Sequence, residues 1–82
     1  MINHQYRQEL LNSALEGRIR EVTEYQVNID NYRRAIERIG NDEAMQEFKA
    51  VLENLLQSSI VECRKAQLML DVVAEQVNPP SQ

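Results

Sequence analysis

This sequence is poor in the residues that build covalent staples and metal sites. It has one cysteine, one histidine, no tryptophan, two glycines and two prolines. A lone cysteine excludes a disulfide bond within the chain and suits a reducing cytoplasm. One cysteine with one histidine cannot supply the four nitrogen and sulfur ligands of a structural zinc site. A chain of 82 residues forms one domain at most, so its thin core depends on packing or on a partner.

Groups that act in catalysis are equally scarce. His4 lies in a first helical turn, and no nucleophile or orienting group accompanies it. Cys63 continues the apolar spacing of Leu56 and Ile60, as a small buried hydrophobic residue does. The sequence contains no glycine-rich phosphate loop, no nucleophile elbow and no Glu-x-x-His motif of a carboxylate metal site. We therefore expect a protein that is not an enzyme and that uses no cofactor.

Acidic residues exceed basic ones, and the excess lies in the second half of the chain. The net charge is −4; residues 1–40 are balanced, whereas residues 41–82 hold seven acids and three bases. A nucleic-acid binder needs a basic face, so this balance argues against that class. No apolar run approaches the ~20 residues that cross a bilayer, and the N-terminus lacks the apolar segment of a signal peptide. We expect a cytoplasmic protein that does not insert into the membrane directly.

Two long stretches have the periodicity of α-helices. In the first, residues 3–39, apolar side chains recur every three or four positions and form a coiled-coil-like seam with Arg18 as its one charged member. The apolar members are Leu11, Leu15, Val22, Tyr25, Ile29, Tyr32, Ile36 and Ile39. Gly17 follows the capping pattern Ser13-x-x-Glu16, which allows a break. The seam keeps its phase through Gly17, however, so we predict one continuous helix.

The segment ERIGNDEAM, residues 37–45, predicts a sharp turn. Gly40 can close a helix in the left-handed conformation, and Asn41 or Asp42 can cap the next helix. We predict a helix at 3–39, a turn at 40–41 and a helix at 42–77, with the two helices antiparallel. Pro79 and Pro80 cannot continue the second helix, so residues 78–82 are expected to be a disordered tail. The predicted fold is an all-α hairpin, a single domain spanning residues 1–77.

The second helix has more apolar residues than one neighbouring helix can cover. Its main stripe comprises Met45, Phe48, Leu52, Leu55, Leu56, Ile60, Cys63, Ala66, Leu70, Val73 and Val77. Val61, Leu68 and Val72 lie off that stripe and predict an exposed apolar strip of the kind that binds proteins. We expect the hairpin to complete a helical bundle, either as a homodimer or by holding a helix of a partner protein. The sequence leaves open which of the two occupies the strip.

Two further groups are candidates for contact with a partner. Tyr25 and Tyr32 lie one heptad apart on the seam, where they act as core residues or as interface anchors. Arg33, Arg34 and Arg38 form a basic cluster near the turn. Ion pairing with neighbouring acids and recognition of an acidic partner are both compatible with that cluster.

Two segments resemble a family of phage proteins. The start MINHQYRQELLNSALEGRIREV and the later LLQSSIVECRKAQLML are similar to the cytoplasmic lysis-inhibition proteins of T-even phages, which are accessory antiholins. The similarity covers essentially the whole chain, although these segments contain no motif that is unique to the family. The resemblance implies a cytoplasmic protein that binds the cytoplasmic N-terminal segment of the phage holin. Such a protein supports the periplasmic antiholin and delays lysis; the resemblance carries over no individual binding residue.

Two other functions fit the residues. A small acidic phage inhibitor of a host polymerase or nuclease would use Asp42, Glu43, Glu47 and Glu53 to imitate nucleic-acid charge. Lys49 dilutes that acidic segment. A coiled-coil assembly protein would instead self-associate and need no transient partner.

Overall fold

The protein is a hairpin of two long antiparallel helices. The computed structural model describes residues 4–79. Helix α1 spans His4–Ile39, a 3₁₀ helix spans Glu43–Met45, and helix α2 spans Gln46–Val77. The predicted all-α helical hairpin is confirmed. Of the predicted tail, residues 80–82 lie outside the described part of the chain.

Helix α1 runs through Gly17 without a break. The local capping pattern is therefore unused, because the apolar seam holds the residues on both sides in one helical phase. Val22 is buried on this seam, and the other apolar seam residues are half-buried. Arg18, the charged member of the seam, is half-buried and pairs with Glu21 across an Nη1–Oε1 distance of 3.2 Å.

Gly40 ends α1 in the predicted manner. Its φ of +53° lies in the left-handed region, where a side chain is disfavoured. Its N–H donates to the Ile36 carbonyl at 3.2 Å, and the N–H of Asp42 donates to the Ile39 carbonyl at 3.1 Å. These bonds satisfy carbonyls that the end of a helix leaves without partners.

Side chains from the start of α2 hold the turn. The Gln46 amide donates to the carbonyl oxygens of Gly40 and Asp42, and Lys49 Nζ donates to the Gly40 carbonyl at 3.0 Å. The α-helix begins four residues after the predicted start at 42. Asp42 adopts an extended backbone instead, and its carboxylate accepts from the Ala44 N–H at 3.0 Å, which starts the 3₁₀ turn.

The core is a single row of contacts between the two helices. Among residues 4–79 the buried apolar side chains are Val22, Leu52, Ala66 and Val73. Each of the three ion pairs in this part of the chain joins residues of one helix, so they contribute only tenths of a kcal/mol. A hydrogen bond from Arg7 to Gln76, at 3.2 Å, ties the far ends of the helices together. The hairpin therefore depends on its apolar seam.

The molecule is a rod with an unusually large surface. Its extents are 65 × 24 × 15 Å and its radius of gyration is 18.5 Å, whereas a compact chain of this length has about 12 Å. It exposes 6698 Å², and a compact monomer of 9.6 kDa exposes about 5,100 Å². The excess of about 1,600 Å² follows from covering only one face of each helix.

The main apolar stripe predicted for α2 is wrong in part, because some of its residues are exposed. Met45, Phe48 and Leu55 were expected to face α1, but all three are exposed. The stripe is wider than the contact that one helix can make, so its flank stays exposed beside that contact. Leu52, Leu56, Ile60 and the C-terminal members of the stripe remain buried or half-buried.

The two glycines provide a matched test of backbone conformation. Gly40→Ala is expected to lower the free energy of unfolding by about 1–2 kcal/mol, because alanine is strained in the left-handed region. Gly17→Ala is expected to raise it by about 0.5–1 kcal/mol, since alanine is the better helix residue. A Cβ at Gly17 would meet no atom within 4 Å. Urea unfolding followed by circular dichroism, at one protein concentration, measures both; equal effects of the two substitutions would contradict the assignment.

Candidate partner-binding surfaces

The two sides of the hairpin differ in chemistry. One side has an open groove of 440 Å³ between the helices, with Ile29, Ile60 and Cys63 half-buried along its floor. Exposed Arg33 of α1 and Arg64 of α2 stand on its two walls. We call this surface the arginine groove. Its apolar floor with polar walls is the combination found in grooves that bind amphipathic helices.

The arginine groove is locally basic in an acidic chain. Within residues 4–79 neither Arg33 nor Arg64 forms an ion pair. Asp30, which also lines the groove, is engaged by Arg34 through an Nε–Oδ2 distance of 2.8 Å. Two guanidinium groups therefore remain available to carboxylates of a bound segment, and such charge-assisted pairs are stronger than neutral hydrogen bonds.

The opposite side is closed at its centre by charged side chains. A shallow depression of 180 Å³ lies there, with Tyr25, Ala66 and Met69 among its residues. The ion pairs Arg18–Glu21 and Glu62–Lys65 flank it. Towards the turn the same side becomes apolar, because Met45 and Phe48 form a further depression with Ala35 and Ile39 of α1.

The structure separates the five residues predicted to bind a partner. Tyr25 and Tyr32 are half-buried at the edge of the seam. Val61, Leu68 and Val72 are exposed on α2, outside the stripe that contacts α1. The predicted apolar strip is thus exposed but lines no part of the arginine groove, and its role as a binding site stays a prediction.

The predicted basic cluster is only partly kept together: Arg34 and Arg38 line one open depression, whereas Arg33 lines the arginine groove. Arg33 faces the arginine groove, Arg34 pairs with Asp30, and Arg38 lies beside Met45 and Phe48 near the turn. Sequence reasoning did not identify Arg64 or Ile29 as groove residues. Their signal was present in the spacing, since Ile60, Cys63, Arg64 and Gln67 recur at intervals that place them along one edge of a helix.

The described residues contain neither a membrane-spanning helix nor a metal site. No helix within residues 4–79 is long and apolar enough to span a membrane. In the same part of the chain no three of the His, Cys, Asp and Glu side chains are grouped closely enough to hold a metal ion.

Comparisons with protein-family models, with curated proteins and with solved structures return no match for this chain.

Two leucines of α2 test whether the strip is structural. Leu52 is 6% exposed and Leu68 is 64% exposed. Leu52→Ala is expected to lower the free energy of unfolding by about 2–4 kcal/mol, because it opens a gap in the seam. Leu68→Ala is expected to change it by no more than about 0.5 kcal/mol. Thermal and urea unfolding of both variants measure this difference, and a comparable loss in Leu68→Ala would show that the strip belongs to the core.

Proposed function

We propose that this hairpin is a non-enzymatic regulatory protein that binds the cytoplasmic N-terminal segment of a phage holin and helps to delay lysis of the host cell. The observation that supports binding is the arginine groove, an apolar trough with unpaired cations on both walls. The choice of partner, and the cytoplasmic location that goes with it, rest on the resemblance to lysis-inhibition proteins. The proposal predicts a partner segment with an amphipathic helix and acidic residues at the edges of its apolar face.

A third helix in the arginine groove would complete what the hairpin leaves open. Its apolar residues at spacings of three and four would contact Ile29, Ile60 and Cys63, burying part of the surface in excess of a compact fold. Its carboxylates would pair with Arg33 and Arg64. Apolar contact supplies most of the affinity, and the two arginines set orientation and exclude basic segments.

Regulation follows from differential affinity. A ligand that binds one state of its target better than another shifts the population towards the preferred state. A hairpin that binds the holin only in its inhibited state therefore stabilises that state. A coupling of about 1–3 kcal/mol is typical of such linkage and changes the balance between states severalfold or more.

An acidic inhibitor of a host polymerase or nuclease has weaker support. The carboxylate of Asp42, one of its four proposed acids, caps the Ala44 N–H. The ammonium group of Lys49 lies within the same segment and bonds to the Gly40 carbonyl. Asp42 is therefore already engaged in the turn, and the four acids with Lys49 leave the segment a net charge of only −3.

Charge reversal in the groove tests the proposal. Arg33→Glu and Arg64→Glu are each expected to weaken binding of a fluorescently labelled holin N-terminal segment by about tenfold or more, because each replaces a charge-assisted bond with repulsion. Fluorescence anisotropy measures the dissociation constant. Arg20→Glu is the matched control, since Arg20 is an exposed arginine of α1 that lines no part of the groove. Binding to the control variant should stay close to wild type.

The thiol of Cys63 locates the bound segment independently. It is half-buried on the groove floor, so a segment in the groove should slow its alkylation. Absence of binding by the wild-type protein would sink the proposed function. Binding without protection of Cys63, and without loss in the two groove variants, would leave the function standing and move the site to Val61, Leu68 and Val72.

A further inference from the structure

Helix α2 carries a second heptad stripe beside the one that contacts α1. The first stripe contacts α1, and every one of its residues is buried or half-buried. It consists of positions 49, 52, 56, 59, 63, 66, 70 and 73. The second stripe consists of the residues that directly precede these positions in the sequence, so its spacings also alternate between three and four. Its positions are 48, 51, 55, 58, 62, 65, 69 and 72. One residue is a rotation of about 100°. The second stripe therefore faces roughly at a right angle to α1, along the whole helix.

The apolar members of the second stripe are all exposed. They are Phe48, Val51, Leu55, Met69 and Val72, and their exposure lies between 39% and 51%. They occupy both ends of the stripe, and Ser58, Glu62 and Lys65 occupy its middle. Three successive apolar positions at one end and two at the other are more than a solvated helix face needs, so each end of the stripe is a candidate contact.

We propose that a second copy of this chain packs against the second stripe in the antiparallel direction. The pattern is self-complementary in that direction. With Phe48 opposite Val72 of the other copy, Val51 lies opposite Met69, so the apolar ends cover each other. In the same register Leu55 lies opposite Lys65, whose aliphatic stem can cover it, and Ser58 lies opposite Glu62. A two-fold axis near residue 60 relates the copies, as in a closed isologous dimer.

Charge excludes the parallel alternative. Two parallel copies would set Glu62 directly against Glu62 and Lys65 against Lys65 at the same level of the stripe. Like charges in that position are destabilising. The antiparallel register separates them along the helix axis and leaves the Glu62–Lys65 ion pair of each chain, with an Oε1–Nζ distance of 3.0 Å, in place.

The surplus surface of the rod is about twice what each partner of a standard dimer buries, so it leaves room for a dimer interface beside the arginine groove. A standard interface buries about 800 Å² on each partner, and each chain exposes about 1,600 Å² more than a compact monomer of its mass. The second stripe lies on the side of the hairpin that holds Tyr25 and Met69, opposite the arginine groove. A dimer formed there leaves the groove open, so this inference does not depend on the proposed function.

Two valines of nearly equal exposure provide the first test. Val51, on the second stripe, is 51% exposed, and Val27, on the outer part of α1, is 53% exposed. Sedimentation equilibrium over a dilution series should give wild-type protein and Val27→Glu twice the chain mass of 9.6 kDa. Val51→Glu should weaken self-association by at least about a hundredfold, since the symmetric interface contains the change twice. Circular dichroism of each variant confirms that the helices are retained.

A monomeric wild-type protein overturns the inference. Equal dissociation of the two valine variants also overturns it, because the second stripe would then have no special part in the interface. If both variants remain dimeric, the two copies meet at another surface, and the inference is again overturned.

Cysteine pairing tests the direction and the register. Two variants are made in a Cys63→Ala background, one with Phe48→Cys and one with Val72→Cys. Each variant is oxidised by itself, and a mixture of the two variants is oxidised in parallel. The antiparallel register predicts a disulfide-linked dimer only in the mixture, joining position 48 of one chain to position 72 of the other. Disulfide-linked dimers in either variant alone indicate parallel packing. The absence of any mixed disulfide overturns the register.

Discussion

Each of the two helices can cover only one face of the other, and this limit determines both the small core and the large apolar surface of the molecule. The seam buries four apolar side chains in the described residues and leaves the rest of the apolar surface exposed or half-exposed. The within-helix ion pairs are exposed and weak, so they cannot offset a poor core. A chain that folds with so little interior leaves much of its apolar area on the surface, and that is why its surfaces are more informative than its interior.

Periodicity was sufficient to predict the hairpin. The spacing from Leu11 to Ile39, the single Gly40 and the two terminal prolines specify two helices and one turn, because local propensity and pattern agree at each position. The start of α2 was misplaced, because Asp42 adopts an extended backbone and caps the Ala44 N–H, which starts a 3₁₀ turn before the α-helix. Gln46 and Lys49 then bond back to the carbonyl oxygens of the turn, a set of local contacts that helical periodicity does not show.

The surfaces were less predictable than the fold. Counting apolar positions placed Met45, Phe48 and Leu55 on the same stripe as Leu52, because a broad stripe does not show which of its edges a neighbour covers. The exposure of Val61, Leu68 and Val72 was anticipated, since they lie far from the stripe in helical phase. The arginine groove was missed because it is formed by both helices, and the pairing of Ile29 with Ile60 depends on the register of the hairpin.

The length of the turn fixes which stripe of α2 faces α1. The two stripes of α2 are offset by a single residue, so inserting one residue between Gly40 and Gln46 would place Val51 and Leu55 at the seam positions that Leu52 and Leu56 occupy. The middle of that seam would contain Glu62 and Lys65, where the present seam has Cys63 and Ala66. The bonds of Gln46 and Lys49 to the Gly40 carbonyl hold the loop at the length that keeps those two charged residues outside the core. Natural variation in the length of this loop is therefore expected to be far more restricted than variation in the length of the helices, where whole heptads preserve both stripes.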